Sequence, residues 1–278
     1  MKKIANEPAF VLHRYDWSES SLILEVFTRH HGRIALVAKG AKRPSSQFRP
    51  ILLPLQPLHI AFSGDAEVGT LKGAEWMGGL TMPSGDALLS GYYVNELILK
   101  LLARDDPHET LFDAYALVTQ LLRDPAQADS ALRAFELIVL REIGLLPSLD
   151  AASLTLQALQ AGTAYTLLPE AGLRAAYEAE AQDRDYGQFN GQYSGQNNGQ
   201  GSVLGYQQER TSLPARHWLA LQSALDDTAP LHALRIVCAA LNAVEKNALK
   251  SQLRSLLHYH CGGKTLRTRQ MMMDVQTL

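Results

Sequence analysis

The sequence predicts an α+β fold, in which an N-terminal five-stranded OB-fold β-barrel precedes an all-α helical domain. Two observations lead to this prediction. Five short runs rich in Val, Ile, Leu and Phe occupy residues 8–76, and turn residues separate them. From residue 84 onward, the apolar residues recur at helical spacing instead. We therefore place the barrel domain at residues 1–80 and the helical domain at residues 84–278.

The five predicted strands are PAFVLHRY, SLILEVFT, GRIALVAKG, PLQPLHIAFSG and EVGTLKGAEWM. Five strands in about 70 residues fit a small closed barrel, and the OB-fold is the five-stranded Greek-key barrel of that group. An SH3-like barrel fits the same strand count, so counting strands leaves that alternative open. Pro54 and Pro57 predict an edge or an entry point at the start of the fourth strand.

Three helices are predicted after the boundary at Pro83–Gly85. Ser84 is the expected cap of the first helix. The second helix follows Asp105–Pro107, and the third runs from about Asp129 to Ile143. Their apolar spacing indicates three antiparallel helices of a bundle.

Residues 148–185 carry weaker signals. We expect a short helix over Leu154–Ala161, then a strand-like segment at Ala164–Leu168 and a turn at Pro169–Gly172. Residues 186–201, YGQFNGQYSGQNNGQG, are uncharged and of low complexity. They predict a disordered inserted loop.

The remaining chain predicts further helices from about Leu213. Breaks are expected near Asp226–Pro230 and near Asn247, and Gly262–Gly263 should end the last long helix. A short closing helix is expected within LRTRQMMMDVQTL. The helical domain thus includes the insert at residues 186–201 and ends in a basic C-terminal segment.

Charge divides the chain into basic, acidic and basic parts, although the formal net charge is only −2. Residues 1–80 carry ten Lys or Arg against seven Asp or Glu, and residues 82–185 carry seven against sixteen. Residues 246–270 carry six Lys or Arg and no acid. This distribution predicts two positive surfaces joined by an acidic body.

The first positive surface is the stretch from Arg29 to Arg49, RHHGRIALVAKGAKRPSSQFR, which contains no acid. Its first half alternates as a strand, and Gly40–Ser46 has the composition of a flexible loop. Such a loop can follow a polyanion, because Lys and Arg neutralise phosphates and release counterions. The candidate contacts are Arg33, Lys39, Lys42, Arg43 and Arg49. A solvated surface with accidental charge bias explains the stretch equally well.

The second candidate anion surface is near the C-terminus and comprises Lys250, Arg254, Lys264, Arg267 and Arg269. Gly262–Gly263 lies within it and would let backbone amides approach a phosphate closely. A plain helix stop with surface charge is the competing interpretation.

Enzyme and metal signals are absent from the sequence. There is no dinucleotide-binding glycine motif, phosphate-loop lysine motif, zincin His-Glu-x-x-His or nucleophile elbow. Cys238 and Cys261 do not form a Cys-x-x-Cys pair. His258, His260 and Cys261 lie among basic residues that would repel a cation. We expect no catalytic site and no metal.

The N-terminus, MKKIANEPAF, lacks the apolar segment of a signal peptide. No apolar run approaches the roughly 20 residues that a membrane span requires. We expect a soluble, cytoplasmic protein with no membrane partner.

Four segments resemble the RecO family of bacterial DNA repair proteins, in order and over nearly the whole chain. They are AFVLHRYDWSESSLILEVFTRHHGRIALVAKGAKRP, GYYVNELILKLLARDDPHETLFDAY, the ALRAFEL helix with IGLLPSLD, and YHCGGKTLRTR. The resemblance implies an OB-fold, a helical body, binding of single- and double-stranded DNA, and annealing of complementary strands. It also implies recombinase loading onto DNA coated with single-strand binding protein, with RecR as a partner.

The resemblance assigns DNA contact to basic residues of the OB domain, and these map onto the five candidates of the first surface. Many family members carry a four-cysteine zinc site after the segment that matches PSLD. The corresponding residues Asp150–Ala181 contain no cysteine, so we expect neither zinc nor another cofactor.

Arg133 lies on the otherwise apolar ALRAFEL helix and could clamp the carboxylate end of an acidic partner peptide. Pairing with Glu136, one turn along the helix, is the simpler interpretation.

For the whole chain, an OB-type accessory protein that binds RNA or tRNA competes with a DNA-binding mediator. Binding to DNA and to structured RNA would separate these two functions.

Overall fold

The structure is a computed structural model, and it describes residues 3–64, 67–79, 82–176, 212–263 and 265–276. The predicted insert at residues 186–201 and the candidate Lys264 lie outside these ranges. The chain divides into two compact units, one formed by residues 1–145 with 260–278 and the other by residues 146–259.

Five strands form a closed barrel in the first unit, in the order β1-β2-β3-β5-β4. They are β1 (Lys3–Asp16), β2 (Leu22–Thr28), β3 (Gly32–Ala38), β4 (Pro57–Ser63) and β5 (Val68–Trp76). β1 pairs with both β2 and β4, while β3 and β5 pair in parallel. A parallel pair needs a crossover connection and does not arise from consecutive hairpins. The OB-type prediction is therefore confirmed, and β4 begins at Pro57 as predicted.

The long connection between β3 and β4 is anchored in the barrel core at two residues. Ala41 and Leu52 are each 1% exposed and cluster with core residues such as Val26 and Ile60. Burial of apolar side chains at both ends fixes the connection against the barrel. Between these two anchors, residues 43–45 of the predicted loop Gly40–Ser46 are exposed.

Three helices, α1 (Gly85–Leu101), α2 (Glu109–Leu121) and α3 (Pro125–Glu142), follow the barrel as predicted. Ser84 occupies the N-cap position of α1, but its side chain makes no capping hydrogen bond. The third helix begins four residues earlier than predicted, because Asp124 accepts a hydrogen bond from the Ala126 N–H and Pro125 fits the first turn.

Helix α1 approaches the barrel closely at Gly91. A Cβ atom at that position would lie 2.4 Å from Cδ1 of Leu55. The adjoining contact is aromatic, since Phe10 of β1 lies 4.9 Å from the ring of Tyr115 on α2. The Tyr115 hydroxyl donates to Oδ1 of Asn95, whose Nδ2 donates to the Leu12 carbonyl. Complete burial raises the pKa of Tyr115, so its hydroxyl stays protonated as this donor.

The second unit contains a small sheet as well as helices. Strands β6 (Ala164–Leu168), β7 (Gly172–Ala175) and β8 (Leu213–Pro214) pair in the order β7-β6-β8. The predicted strand and turn at residues 164–172 are confirmed. The short helix predicted over Leu154–Ala161 is wrong, because residues 151–161 form turns and one isolated bridge. The region after residue 84 is thus mainly, but not entirely, helical.

Helices α4 (Ala215–Leu225), α5 (Pro230–Ala240) and α6 (Ala243–His260) complete this part of the chain. The break at residues 226–230 is confirmed, but the second break lies at Leu241–Asn242 instead of Asn247. The Asn242 N–H donates to the Glu245 carboxylate, and the Glu245 N–H donates back to Oδ1 of Asn242. This reciprocal capping box starts α6.

The closing helix α7 (Arg267–Gln276) is confirmed and belongs to the first unit. Glu96 of α1 accepts hydrogen bonds from the backbone N–H groups of Arg267 and Thr268, at 2.8 and 2.9 Å. The Thr268 hydroxyl also donates to this carboxylate. A side chain from α1 therefore caps the last helix of the chain.

Candidate nucleic-acid interface

A groove of about 660 Å³ opens on the barrel where the end of β1 meets the β3–β4 connection. Its walls combine apolar side chains with cationic ones. The lining residues are Arg14, Tyr15, Asp16, Leu22, Ala41, Lys42, Phe48, Arg49 and Leu52. Lys42 and Arg49 come from the predicted basic stretch, whereas Arg14 and Tyr15 come from β1.

Hydrogen bonds hold the basic connection against the turn between β1 and β2. The Lys42 N–H donates to the Ser20 carbonyl at 3.0 Å. The Lys42 ammonium donates to the Ser18 carbonyl at 3.0 Å and lies 3.2 Å from Oδ1 of Asp16. Lys42 therefore fastens one side of the groove to the other, and its charge is paired with that of Asp16.

Four further cations are exposed, of which Arg14 and Arg49 line the groove and Lys39 and Arg43 lie on the β3–β4 connection. Arg14, Lys39, Arg43 and Arg49 all reach solvent. Within the described ranges, none of the four forms an ion pair with a carboxylate. The stem of Arg43 folds over Gly40, with Cδ 3.6 Å from the position of a Cβ atom there. These four side chains give this edge of the barrel a positive charge that other parts of the described chain do not neutralise.

Arg33, the first of the sequence candidates, lies in a different environment. Its Nη1 is 2.9 Å from Oε2 of Glu25, and its Nε donates to the Leu102 carbonyl at 3.0 Å. The side chain is only 16% exposed. Arg33 joins β3 to the end of α1 and does not contribute a free charge to the groove.

Sequence reasoning missed the contribution of β1. Tyr15 is 47% exposed and Trp17 is 65% exposed. His13 packs against Tyr15 with ring centroids 4.4 Å apart and an interplanar angle of 66°. The sequence HRYDW, residues 13–17, combines a cation with aromatic residues near the end of a strand. Aromatic side chains beside positive charge are typical of surfaces that bind single-stranded nucleic acid.

The candidates near the C-terminus fall into two units. Lys250 and Arg254 lie on α6 of the second unit, and Arg254 is exposed. Arg267 and Arg269 lie on α7 of the first unit, where Arg267 is exposed and Arg269 is half-buried. The amides at the start of α7 already bind Glu96.

Arg133 is buried on α3. Its Nη1 lies 2.8 Å from Oε2 of Glu136, and the two side chains are 8% and 1% exposed. The Tyr93 hydroxyl donates to Oε1 of the same carboxylate at 2.7 Å. The pairing with Glu136 is confirmed, and the burial of Arg133 disfavours a role as a surface clamp.

His260 and Cys261 are both partly buried. Burial lowers the pKa of His260 and raises that of Cys261. Among the described residues, no group of three or more His, Cys, Asp or Glu side chains is arranged to hold a metal ion. In the same residues, no helix is both long and apolar enough to cross a membrane.

Comparison with known proteins identifies two family models that match successive parts of the chain. Residues 1–80 match the family model "Recombination protein O N terminal", and residues 82–182 match "Recombination protein O C terminal". The chain is 60% identical over 282 residues to a DNA repair protein RecO from Variovorax paradoxus (strain S110), covering 99% of this chain and 98% of that protein. It is 56% identical over 279 residues to the protein of that name from Polaromonas sp. (strain JS666 / ATCC BAA-500), with coverage of 100% and 99%.

Proposed function

The chain belongs to the recombination protein O family, and we propose that it serves recombinational DNA repair as a non-enzymatic, DNA-binding mediator. The observation that carries this proposal is the set of exposed cations on β1 and the β3–β4 connection of the barrel. Arg14, Lys39, Arg43 and Arg49 have no carboxylate partner within the described ranges. Lys and Arg side chains that are not paired with a carboxylate attract phosphates, and each such contact releases a counterion from the DNA.

The DNA contacts that we propose are Arg14, Lys39, Lys42, Arg43 and Arg49. Lys42 is included because a phosphate can replace Asp16, which is exposed, as the partner of its ammonium. Arg33 is left out because Glu25 and Leu102 already bind its guanidinium.

We further propose that the protein anneals complementary single strands and helps load a recombinase onto DNA coated with single-strand binding protein. Neutralisation of phosphate charge lowers the repulsion between two strands that approach each other. Single- and double-stranded DNA, single-strand binding protein and RecR are the partners that family membership suggests. Lys250, Arg254, Lys264, Arg267 and Arg269 remain candidates for additional DNA contacts. Because the proposed ligand is DNA, we also propose that the protein works in the cytoplasm, at the nucleoid.

The direct test is annealing of complementary strands coated with single-strand binding protein. We expect the wild-type chain to accelerate annealing, and the Arg43→Ala/Arg49→Ala variant to do so at least several-fold less. Lys100→Ala removes an exposed charge from α1 and should leave the rate unchanged. Equal rates with and without the protein would refute the annealing activity.

Competition binding distinguishes DNA from RNA as the ligand. Labelled single-stranded DNA is displaced with unlabelled DNA or with a structured RNA of equal length. We expect DNA to compete at the lower concentration. Stronger competition by the RNA would instead support an RNA-binding accessory protein.

A further inference from the structure

The groove contains more apolar surface than phosphate binding requires. Leu22, Phe48 and Leu52 line it together with the cations. Its volume of about 660 Å³ lies within the roughly 300–1,000 Å³ that is typical of pockets for small organic ligands. The cationic side chains are sufficient to bind phosphates. The apolar side chains of the groove therefore suit a different part of the ligand, one that is flat and weakly polar.

Tyr15 presents a ring at this groove and is held in position. Its backbone pairs with Ile23 of β2, and its ring packs edge-to-face against His13 at 4.4 Å. Nearly half of the side chain is nevertheless exposed, at 47%. A fixed, exposed aromatic ring is suited to stacking, because little conformational entropy is lost when a second ring covers it.

The charges around this ring are arranged for a nucleotide. Arg14 and Arg49 lie on the rim and are exposed. Among the described lining residues, the single carboxylate is Asp16, and Lys42 pairs with it at 3.2 Å. The net charge at the groove is therefore positive, which suits the phosphates on either side of a bound base.

From this arrangement we propose that the groove receives an unstacked base of a single DNA strand, with Tyr15 as the stacking platform and Arg14 and Arg49 on the flanking phosphates. This inference rests on the proposed DNA binding and adds the selection of single strands over duplex. In a duplex each base is paired and stacked on both faces, and extruding it costs free energy. A single strand offers its bases without that cost.

The experiment measures the affinity of the full-length protein for a single-stranded oligonucleotide and for the matching duplex at one salt concentration. Tyr15→Ala should weaken single-strand binding about tenfold, as expected for the loss of one base–aromatic stack. It should leave duplex binding within about twofold, because duplex contacts are made through phosphates. Tyr15→Phe keeps the ring and should bind like the wild type.

Trp76→Ala is the matched control, because Trp76 is 51% exposed on β5 and does not line the groove. It should change neither affinity. The unfolding free energy of each variant is measured alongside, so that misfolding is separated from lost stacking. A second readout places 2-aminopurine in the single strand, whose fluorescence should change on binding to the wild type and to Tyr15→Phe but much less with Tyr15→Ala.

A folded Tyr15→Ala variant with unchanged single-strand affinity would overturn the stacking site. An equal loss on single strand and duplex would also overturn it, because Tyr15 would then not select between them. In either case, a smaller salt dependence in Arg43→Ala/Arg49→Ala would still support the proposed DNA-binding surface. Absence of DNA binding by the wild type would refute both proposals.

Discussion

Oε2 of Glu25 lies 2.9 Å from Nη1 of Arg33, and these side chains are 5% and 16% exposed. Arg104, from the segment after α1, also binds the Glu25 carboxylate. One buried carboxylate on β2 thus binds two arginines, one from the barrel and one from the connection between helices. Arg33, the arginine of β3 in the basic stretch, therefore has a structural role.

Arg33→Ala is expected to lower the free energy of unfolding by about 2 kcal/mol, because the bonds of its guanidinium to Glu25 and to the Leu102 carbonyl are lost while Arg104 still pairs with Glu25. Chemical denaturation measures this change. The variant should retain the DNA affinity of the wild type when folded.

Arg43→Ala should show the opposite result, with stability within about 0.5 kcal/mol of wild type and weaker DNA binding.

Arg43→Ala/Arg49→Ala is expected to reduce the salt dependence of single-stranded DNA binding. Each phosphate contact contributes about −0.7 to the slope of log K against log salt, so the loss of two contacts should make the slope about 1.4 less steep. Fluorescence anisotropy across a salt series gives the slope. Lys100→Ala should leave it unchanged, and an unaltered slope in the double variant would remove these arginines from the interface.

Glu96→Ala is expected to loosen α7 selectively. The carboxylate accepts two backbone N–H bonds and one hydroxyl bond from Arg267 and Thr268, and losing a helix cap of this kind costs about 1–2 kcal/mol. Hydrogen exchange should speed up in residues 267–276 and remain slow in the barrel strands. Glu75→Ala, which removes an exposed acid from β5, should leave α7 protected. Uniform deprotection in Glu96→Ala would contradict a local cap.

The start of α6 is expected to weaken in acid. The backbone N–H of Asn242 holds the pKa of Glu245 below its usual range, and His217 and Arg216 lower it further. A carboxyl whose pKa is lower in the folded state stabilises that state above its unfolded pKa and loses this contribution as the pH falls through the folded pKa. Glu245→Gln should therefore be less stable than wild type at pH 7.

Thermal unfolding from pH 7 down to pH 3 tests this prediction, because the wild type and Glu245→Gln should converge once Glu245 is protonated. A difference between the two proteins that stays constant over the whole range would show that the charge of Glu245 does not stabilise the helix start. His232→Ala, on α5, serves as a control whose stability should follow the wild-type pH profile.

The candidate site could be predicted from sequence only in part. A run of like charges is a local property of the sequence, so the basic stretch with Lys39, Lys42, Arg43 and Arg49 could be identified from the sequence alone. The groove joins this stretch to Arg14 and Tyr15, which lie more than twenty residues earlier. Contacts over such a separation depend on which strands pair, and no local pattern carries that information.

Periodicity and turn residues in the sequence were sufficient to predict the five barrel strands and the three helices that follow them, because these signals act over a few positions. Tertiary structure alone decided how each cation is used. Arg33 and Arg133 face carboxylates in the interior and form ion pairs there, whereas Arg43 and Arg49 remain in solvent. Identical guanidinium groups have different roles because the fold sets their burial and their partners.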